Sequence, residues 1–193
     1  MILGQLISLD TSEYRNKLLV AIDEMPSLRR MEALELFLTK GAGAGIRALL
    51  LAQDYQDIVG EYGEHERITA ECNVVVAHAP NNMLSAEWLS RRVGQTTRVI
   101  EEVSESQGRG QGNQRSVSRV YRSIGAPLMT AEEVTRLQLP QRCEDDSIES
   151  PGDVLIFQAG GRAILGTQSL AFLNPEFARR MAIPAPETMR IKR

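Results

Sequence analysis

Leu18 to Ile22 (LLVAI) is an unbroken apolar run that ends in two carboxylates, Asp23 and Glu24. Such a run predicts a strand buried on both faces, as in a parallel sheet covered by helices. Upstream, Ile2, Leu3, Leu6, Ile7 and Leu9 recur at helical spacing and predict a helix over 1–9, ended by Asp10-Thr11-Ser12. Downstream, Pro26-Ser27-Leu28 opens a helix with Met31, Leu34 and Leu38, and the intervening Leu36 and Phe37, on its apolar face, Ala33 also being compatible. The GAGAG segment, 41–45, closes it, because glycine supplies the left-handed cap. Ile46 to Ala52 (IRALLLA) predicts a second strand, ending in Gln53-Asp54. A short helix over 55–62 stops at Gly63, and the polar stretch 64–71 reads as helical. Asn73 to Ala79 (NVVVAHA) is a third strand, rich in β-branched Val. Pro80-Asn81-Asn82 is a turn, and Ser85 suits the N-cap of a helix over 86–93 that ends at Gly94.

The second half has a different pattern. Thr97 to Val103 alternates as a strand, and Arg119 to Ile124 returns as its partner in a long hairpin. Between them, 104–118 (SESQGRGQGNQRSVS) is rich in Gly, Gln and Ser and predicts a mobile loop. Thr130 with Glu133 forms a capping box that opens a helix to Leu137. An acidic loop is expected over 141–152. Val154 to Gln158 and Ala163 to Gly166 read as two strands around Gly160-Gly161. The predicted fold class is α/β: a mostly parallel sheet flanked by helices, with an antiparallel hairpin region near the C-terminus.

Composition narrows the function classes. At 193 residues, 42% hydrophobic and 24% charged, the chain is long enough for one domain with a real core. Its net charge of −3 gives no global attraction for nucleic acid, so DNA contact would need a local basic patch or a pore built by several subunits. Cys72 and Cys143 are far apart, and His65 and His78 complete no metal-ligand spacing with them, which argues against a zinc or disulfide framework. No apolar run approaches the roughly 20 residues that span a bilayer. The start, MILGQLISLDTSEYRN, lacks the features of a signal peptide.

The candidate chemistry sits at strand ends, where open α/β sheets bind ligands. In nucleoside-triphosphate motors, an apolar strand ending in Asp-Glu is the Walker B arrangement. The Asp holds Mg²⁺ directly or through water, and the Glu orients or deprotonates the attacking water. The plain structural reading is a strand end with two solvated acids. Gln53, at the carboxyl end of the next strand, is placed to hydrogen-bond a γ-phosphate or that water, the sensor role. Arg47 lies at the opposite end of that strand and reads as structural or as presented to a neighbouring subunit. The chain contains no GxxxxGK[ST], so no phosphate loop accompanies these residues. Arg109, Arg115, Arg119 and Arg122 lie in or beside the loop of the hairpin. Two readings stay open for them, non-specific contact with DNA phosphates and a solvated linker. Trp88 and His78 read as core residues. Nothing near Cys143 in sequence activates it.

Four segments taken together resemble one family. They are LLVAIDEMPSLRRMEALELFLTKGAGAGIRALLLAQDYQDIVGEYG, ITAECNVVVAHAPNN, SAEWLSRRVGQTT and APLMTAEEVTRL. In order and spacing, across roughly 17–137, they resemble the coupling-protein ATPases of conjugation and type IV secretion, the TraG/TraD type. The resemblance implies a RecA-like motor domain in a hexameric, inner-membrane-associated ATPase that uses Mg²⁺ and ATP. Its implied partners are single- or double-stranded DNA, the relaxase or relaxosome, and secretion-channel proteins. Carried over by position, Asp23 becomes the Mg²⁺-associated Asp, Glu24 the catalytic base and Gln53 the sensor. Some members carry in the Gly-rich turn an arginine that reaches the neighbouring subunit's nucleotide. Ala42 stands at that place here, which leaves Arg47 as the candidate substitute.

The family's transmembrane anchor, Walker A segment and inserted all-α domain all precede the region that matches. The expectation is therefore the C-terminal half of a RecA-like motor over 1–175, with a flexible tail over 176–193. It would belong to the soluble cytoplasmic part of a bacterial inner-membrane system, bind ATP and Mg²⁺ poorly by itself, and self-associate. Two other readings are a non-catalytic partner-binding module on the same fold and a fragment of a segregation-type DNA translocase.

Overall fold

In the computed structural model, residues 18–43, 45–107 and 115–184 are described. Fifteen of the elements are ordinary helices and strands. In chain order they are β1 (Leu18–Ile22), α1 (Glu32–Gly41), β2 (Ile46–Leu50), α2 (Tyr55–Tyr62), α3 (Ile68–Glu71), β3 (Val74–Ala77), α4 (Met83–Val93), β4 (Gln95–Gln107), β5 (Arg115–Pro127), α5 (Ala131–Thr135), β6 (Gln141–Arg142), β7 (Ile148–Ser150), β8 (Asp153–Gln158), β9 (Ile164–Thr167) and α6 (Pro175–Met181). A 3-10 turn, Met25–Leu28, follows β1.

β1 and β2 are parallel and in register from Leu18–Ile46 to Ile22–Leu50. The pairing runs on past the strands: Leu51 N–H donates to Ile22 O (3.0 Å) and Met25 N–H to Leu51 O (2.8 Å). One face of this pair, with Val20, Ile22, Ala48 and Leu50, packs on Met25, Leu34, Phe37, Ile58, Tyr62 and Ile68. Each large side chain buried there stabilises by roughly 1.5–3 kcal/mol. A second core lies under the antiparallel sheet of β3, β8 and β9. There, Ala86 and Leu89 of α4, with Val134 and Leu137, cover Leu155 and Phe157. β4 and β5 form a separate two-stranded ribbon, paired from Gln95–Pro127 to Gln107–Arg115.

The structure departs from the sequence expectations in several places. β3 does not extend the parallel pair but runs antiparallel to β8. Its partner lies some eighty residues away in sequence, and local periodicity carries no information about strand direction. The 26–45 helix breaks into the 3-10 turn and α1, because Arg29 adopts a left-handed φ of 59°. The expected loop 104–118 is strand over 104–107 and 115–118, since the antiparallel ladder propagates through those polar ends, and 108–114 lie outside the described residues. Only Ile68–Glu71 of the 64–71 stretch is helical. The acidic loop holds the small β6–β7 hairpin. Part of the expected tail forms α6, capped by Asn174. The helix over 1–9 and the tail beyond 184 lie outside the described residues.

Candidate functional site

The two turns that follow β1 and β2 are held side by side by the backbone bonds between Ile22, Met25 and Leu51. Asp23 and Glu24 occupy the first turn and Gln53 the second. Gln53 Nε2 donates to Glu24 Oε2 at 2.9 Å. Glu24 itself sits in the left-handed region (φ 54°, ψ 51°) and heads the 3-10 turn. Its carbonyl accepts from Ser27 N–H (3.0 Å) and from Ser27 Oγ (2.7 Å). Left-handed backbone at a non-glycine residue costs roughly 1–2 kcal/mol, and such conformations cluster at functional sites.

The site is open: Asp23 and Gln53 are exposed, and Glu24 is partly buried. Among the described residues, no group of three or more His, Cys, Asp or Glu side chains could cage a metal ion. The oxygens of Asp23 fit a hard cation that keeps most of its water and takes further ligands from phosphate. Chemically, the cluster offers a carboxylate for such a cation, a second carboxylate that can accept a proton, and an amide that holds the second in place.

Asp54, next to Gln53, fastens this turn to the rest of the molecule. Its Oδ1 caps α2 by accepting Gln56 N–H at 2.7 Å and also accepts Ser85 Oγ–H at 2.5 Å. One residue on, Tyr55 stacks on Trp88 of α4, with ring centroids 4.0 Å apart and planes 14° from parallel. The Arg92 guanidinium lies over the Trp88 ring (4.8 Å) and the Phe157 ring (5.0 Å). Burial, together with the Glu66 carboxylate, pushes the Tyr55 hydroxyl above its ordinary pKa. Burial and Glu66 raise the Cys72 thiol as well, so a thiolate is disfavoured there.

The remaining sequence candidates are scattered. Arg47 pairs with Leu19 in register, at the strand end away from Gln53. Ala42 caps α1 and is exposed. Arg119 lies 3.6 Å from Glu101 and Arg122 lies 3.5 Å from Glu102, so these two bases of the ribbon are paired with acids. Arg115 ends the ladder opposite Gln107, and Arg109 falls outside the described residues. His78 is not a core residue: it follows β3 in the open, where its Nδ1 lies 2.8 Å from Gln168 Nε2. Ser85 is not the cap of α4. Asn82 is, accepting Leu84 N–H at 2.9 Å, which leaves Ser85 buried and turned to Asp54. The one available signal for this was Asp54 itself, an N-cap type immediately before the helix over 55–62.

This arrangement is the RecA-like α/β fold of bacterial conjugative coupling proteins. Solved structures of the coupling protein TrwB match it. The unbound form gives a TM-score of 0.54 at 19% identity, covering 87% of this chain and 35% of that one. The complexes with a non-hydrolysable ATP analogue and with ADP and Mg²⁺ give 0.57 and 0.56, covering 34% and 36% of those chains. Two Escherichia coli proteins named conjugal transfer protein TraG are 40% and 38% identical over 179 residues, 91% of this chain. The chain spans 28% of their length. A family model described as "TraM recognition site of TraD and TraG" matches residues 17–139. The chain belongs to this TraG/TraD family of conjugal transfer proteins. No helix among the described residues is long and apolar enough to cross a membrane.

Proposed function

We propose that this chain is the Walker B and sensor portion of a conjugative coupling ATPase, which drives transfer of a DNA–protein substrate. The observation that carries the reading is the 2.9 Å bond from Gln53 Nε2 to Glu24 Oε2 at the carboxyl ends of two adjacent parallel strands. In this reading, Glu24 is the catalytic base, Gln53 holds its carboxylate toward the attacking water, and Asp23 supports Mg²⁺ through water. Bound Mg²⁺ would neutralise phosphate charge. The chain's own residues orient Glu24 and accept the proton. The solved TrwB complexes with an ATP analogue and with ADP and Mg²⁺ support nucleotide as the ligand of the complete protein.

The sequence contains no GxxxxGK[ST] to cradle β- and γ-phosphates, so in this reading the chain by itself is inactive and requires a Walker A-bearing portion. The expected assembly is a ring, as in hexameric relatives, in the cytoplasmic part of an inner-membrane system. A second reading, docking of a relaxosome protein, draws on the description of the family model as a TraM recognition site. DNA contact through Arg109, Arg115 and Arg119 is a further reading; of these, Arg119 is already matched by Glu101.

The test uses the purified chain alone and the chain joined to the upstream portion of the Escherichia coli TraG relative. The chain alone should show no Mg²⁺-dependent ATP hydrolysis. The joined protein should hydrolyse ATP, with Glu24→Gln lowering kcat by about 10²-fold or more, the scale of a lost general base. Hydrolysis by the chain alone that Glu24→Gln abolishes would sink the proposal, and so would a joined protein indifferent to that substitution.

A further inference from the structure

Gln53 is exposed and follows β2 by three positions, so nothing in its own turn holds its side chain toward Glu24. Its neighbour Asp54 is fixed from two sides. Gln56 N–H binds Asp54 Oδ1 from within α2, and Ser85 Oγ binds the same oxygen from α4. Ser85 is 2% exposed, and its hydroxyl is spent on Asp54 rather than on capping its own helix. A buried hydroxyl aimed across an element boundary at a carboxylate is a charge-assisted bond, roughly twice as strong as a neutral one. Tyr55 and Trp88 then clamp the next residue pair by stacking. The turn carrying Gln53 is therefore fixed on one side by the Leu51 bonds to Ile22 and Met25 and on the other by α4, which belongs to the other core.

We infer that Ser85 and Asp54 are positioning residues for Gln53: α4, through the Ser85–Asp54 bond, fixes the backbone from which the Gln53 amide reaches Glu24. The roles of Gln53 and Glu24 in hydrolysis rest on the function proposed above, but the positioning itself does not. α4 also leads through Gly94 straight into the ribbon, and Leu128 N–H, just past β5 at the ribbon base, donates to Gly94 O (2.9 Å). Displacement of the ribbon base by a partner would thus reach the Glu24–Gln53 pair through Ser85 and Asp54.

The experiment follows the Gln53 side-chain amide in the ¹⁵N-labelled full chain at constant neutral pH, assigned by its disappearance in Gln53→Ala, and compares its position with and without Glu24→Gln. In the otherwise unaltered chain, Glu24→Gln should shift the amide signals, because it replaces the carboxylate to which Gln53 Nε2 donates. Ser85→Ala leaves the Gln56 cap intact and should lose that sensitivity to Glu24→Gln while keeping the helix content. Asp54→Asn retains an Oδ1 acceptor for both donors and should keep it. A Gln53 amide that still follows Glu24 fully in Ser85→Ala overturns the inference, as does its loss in Asp54→Asn with the fold intact. Neither readout depends on ATP hydrolysis, so failure here is separate from failure of the proposed activity.

Discussion

Glu133 shows how one side chain ties sequence to stability. Its carboxylate accepts Thr130 N–H at 2.7 Å and Thr130 Oγ1 at 3.0 Å, and its own N–H donates to Thr130 Oγ1 at 3.2 Å. Both Thr130 bonds favour the ionised form, and they hold the Glu133 carboxyl below its ordinary pKa, with Arg98 adding to the effect. A carboxylate with a depressed folded pKa contributes stability above its unfolded pKa and loses it as pH falls through the folded value. The Tm difference between the unaltered chain and Glu133→Gln should therefore be largest at and above neutral pH and should close in acid. A gap that does not change with pH would show that the box acts without its charge. This capping box was readable from Thr130 and Glu133 alone, because both partners lie within one turn. Ser85 was misread as a cap for the opposite reason: its partner, Asp54, is thirty-one residues away.

At the scale of elements, the entry to β8 is the tightest junction. Gly152 is buried, and a Cβ there would lie 2.5 Å from Gln138 O and 2.8 Å from Pro140 Cδ. The same junction is laced by Asp153 N–H to Gln138 O (2.7 Å) and by Gln168 N–H to Gly152 O (2.8 Å). Gln168 also reaches His78, so the segments after β3, before β8 and after β9 meet here. Gly152→Ala must displace backbone rather than a flexible side chain. Overpacking of this kind costs roughly 1–3 kcal/mol, read as a lower urea midpoint with an unchanged slope. Gly166→Ala, whose Cβ would meet Val154 and Ile156 side chains at 3.6–3.8 Å, should be far milder. The sequence placed most of these elements but not their partners. β1, β2, α2 and β8 fall close to expectation because each has a strong local period. The direction of β3 and the length of the ribbon depend on pairing, which no single segment records.

For the whole molecule, exposed surface is the dominant fact. Among the described residues, part of the exposed apolar surface lies on the uncovered faces of the two sheets. Leu19 (61%) and Leu49 (51%) share the open face of β1–β2, and Val76 (54%) and Ile164 (50%) flank Ile156 on that of β3–β8–β9. Contiguous apolar faces of this kind mark interaction surfaces. The isolated chain is accordingly expected to self-associate, with a sedimentation coefficient that rises with concentration. Leu49→Asp combined with Val76→Asp should shift it toward monomer while circular dichroism stays the same. A chain that sediments as a monomer at all concentrations would contradict this.

By itself the sequence determined what is local. It set the two strand ends bearing Asp23, Glu24 and Gln53, the helix caps at Gly63 and Thr130, and the absence of a phosphate loop, because each depends on residues within a few positions of one another. Tertiary structure decided what joins distant segments. It brought Gln53 onto Glu24 through parallel pairing of β1 and β2, turned β3 toward β8, and aimed Ser85 at Asp54. Those outcomes follow from packing and hydrogen-bond satisfaction among groups far apart in the chain, and periodicity is blind to both.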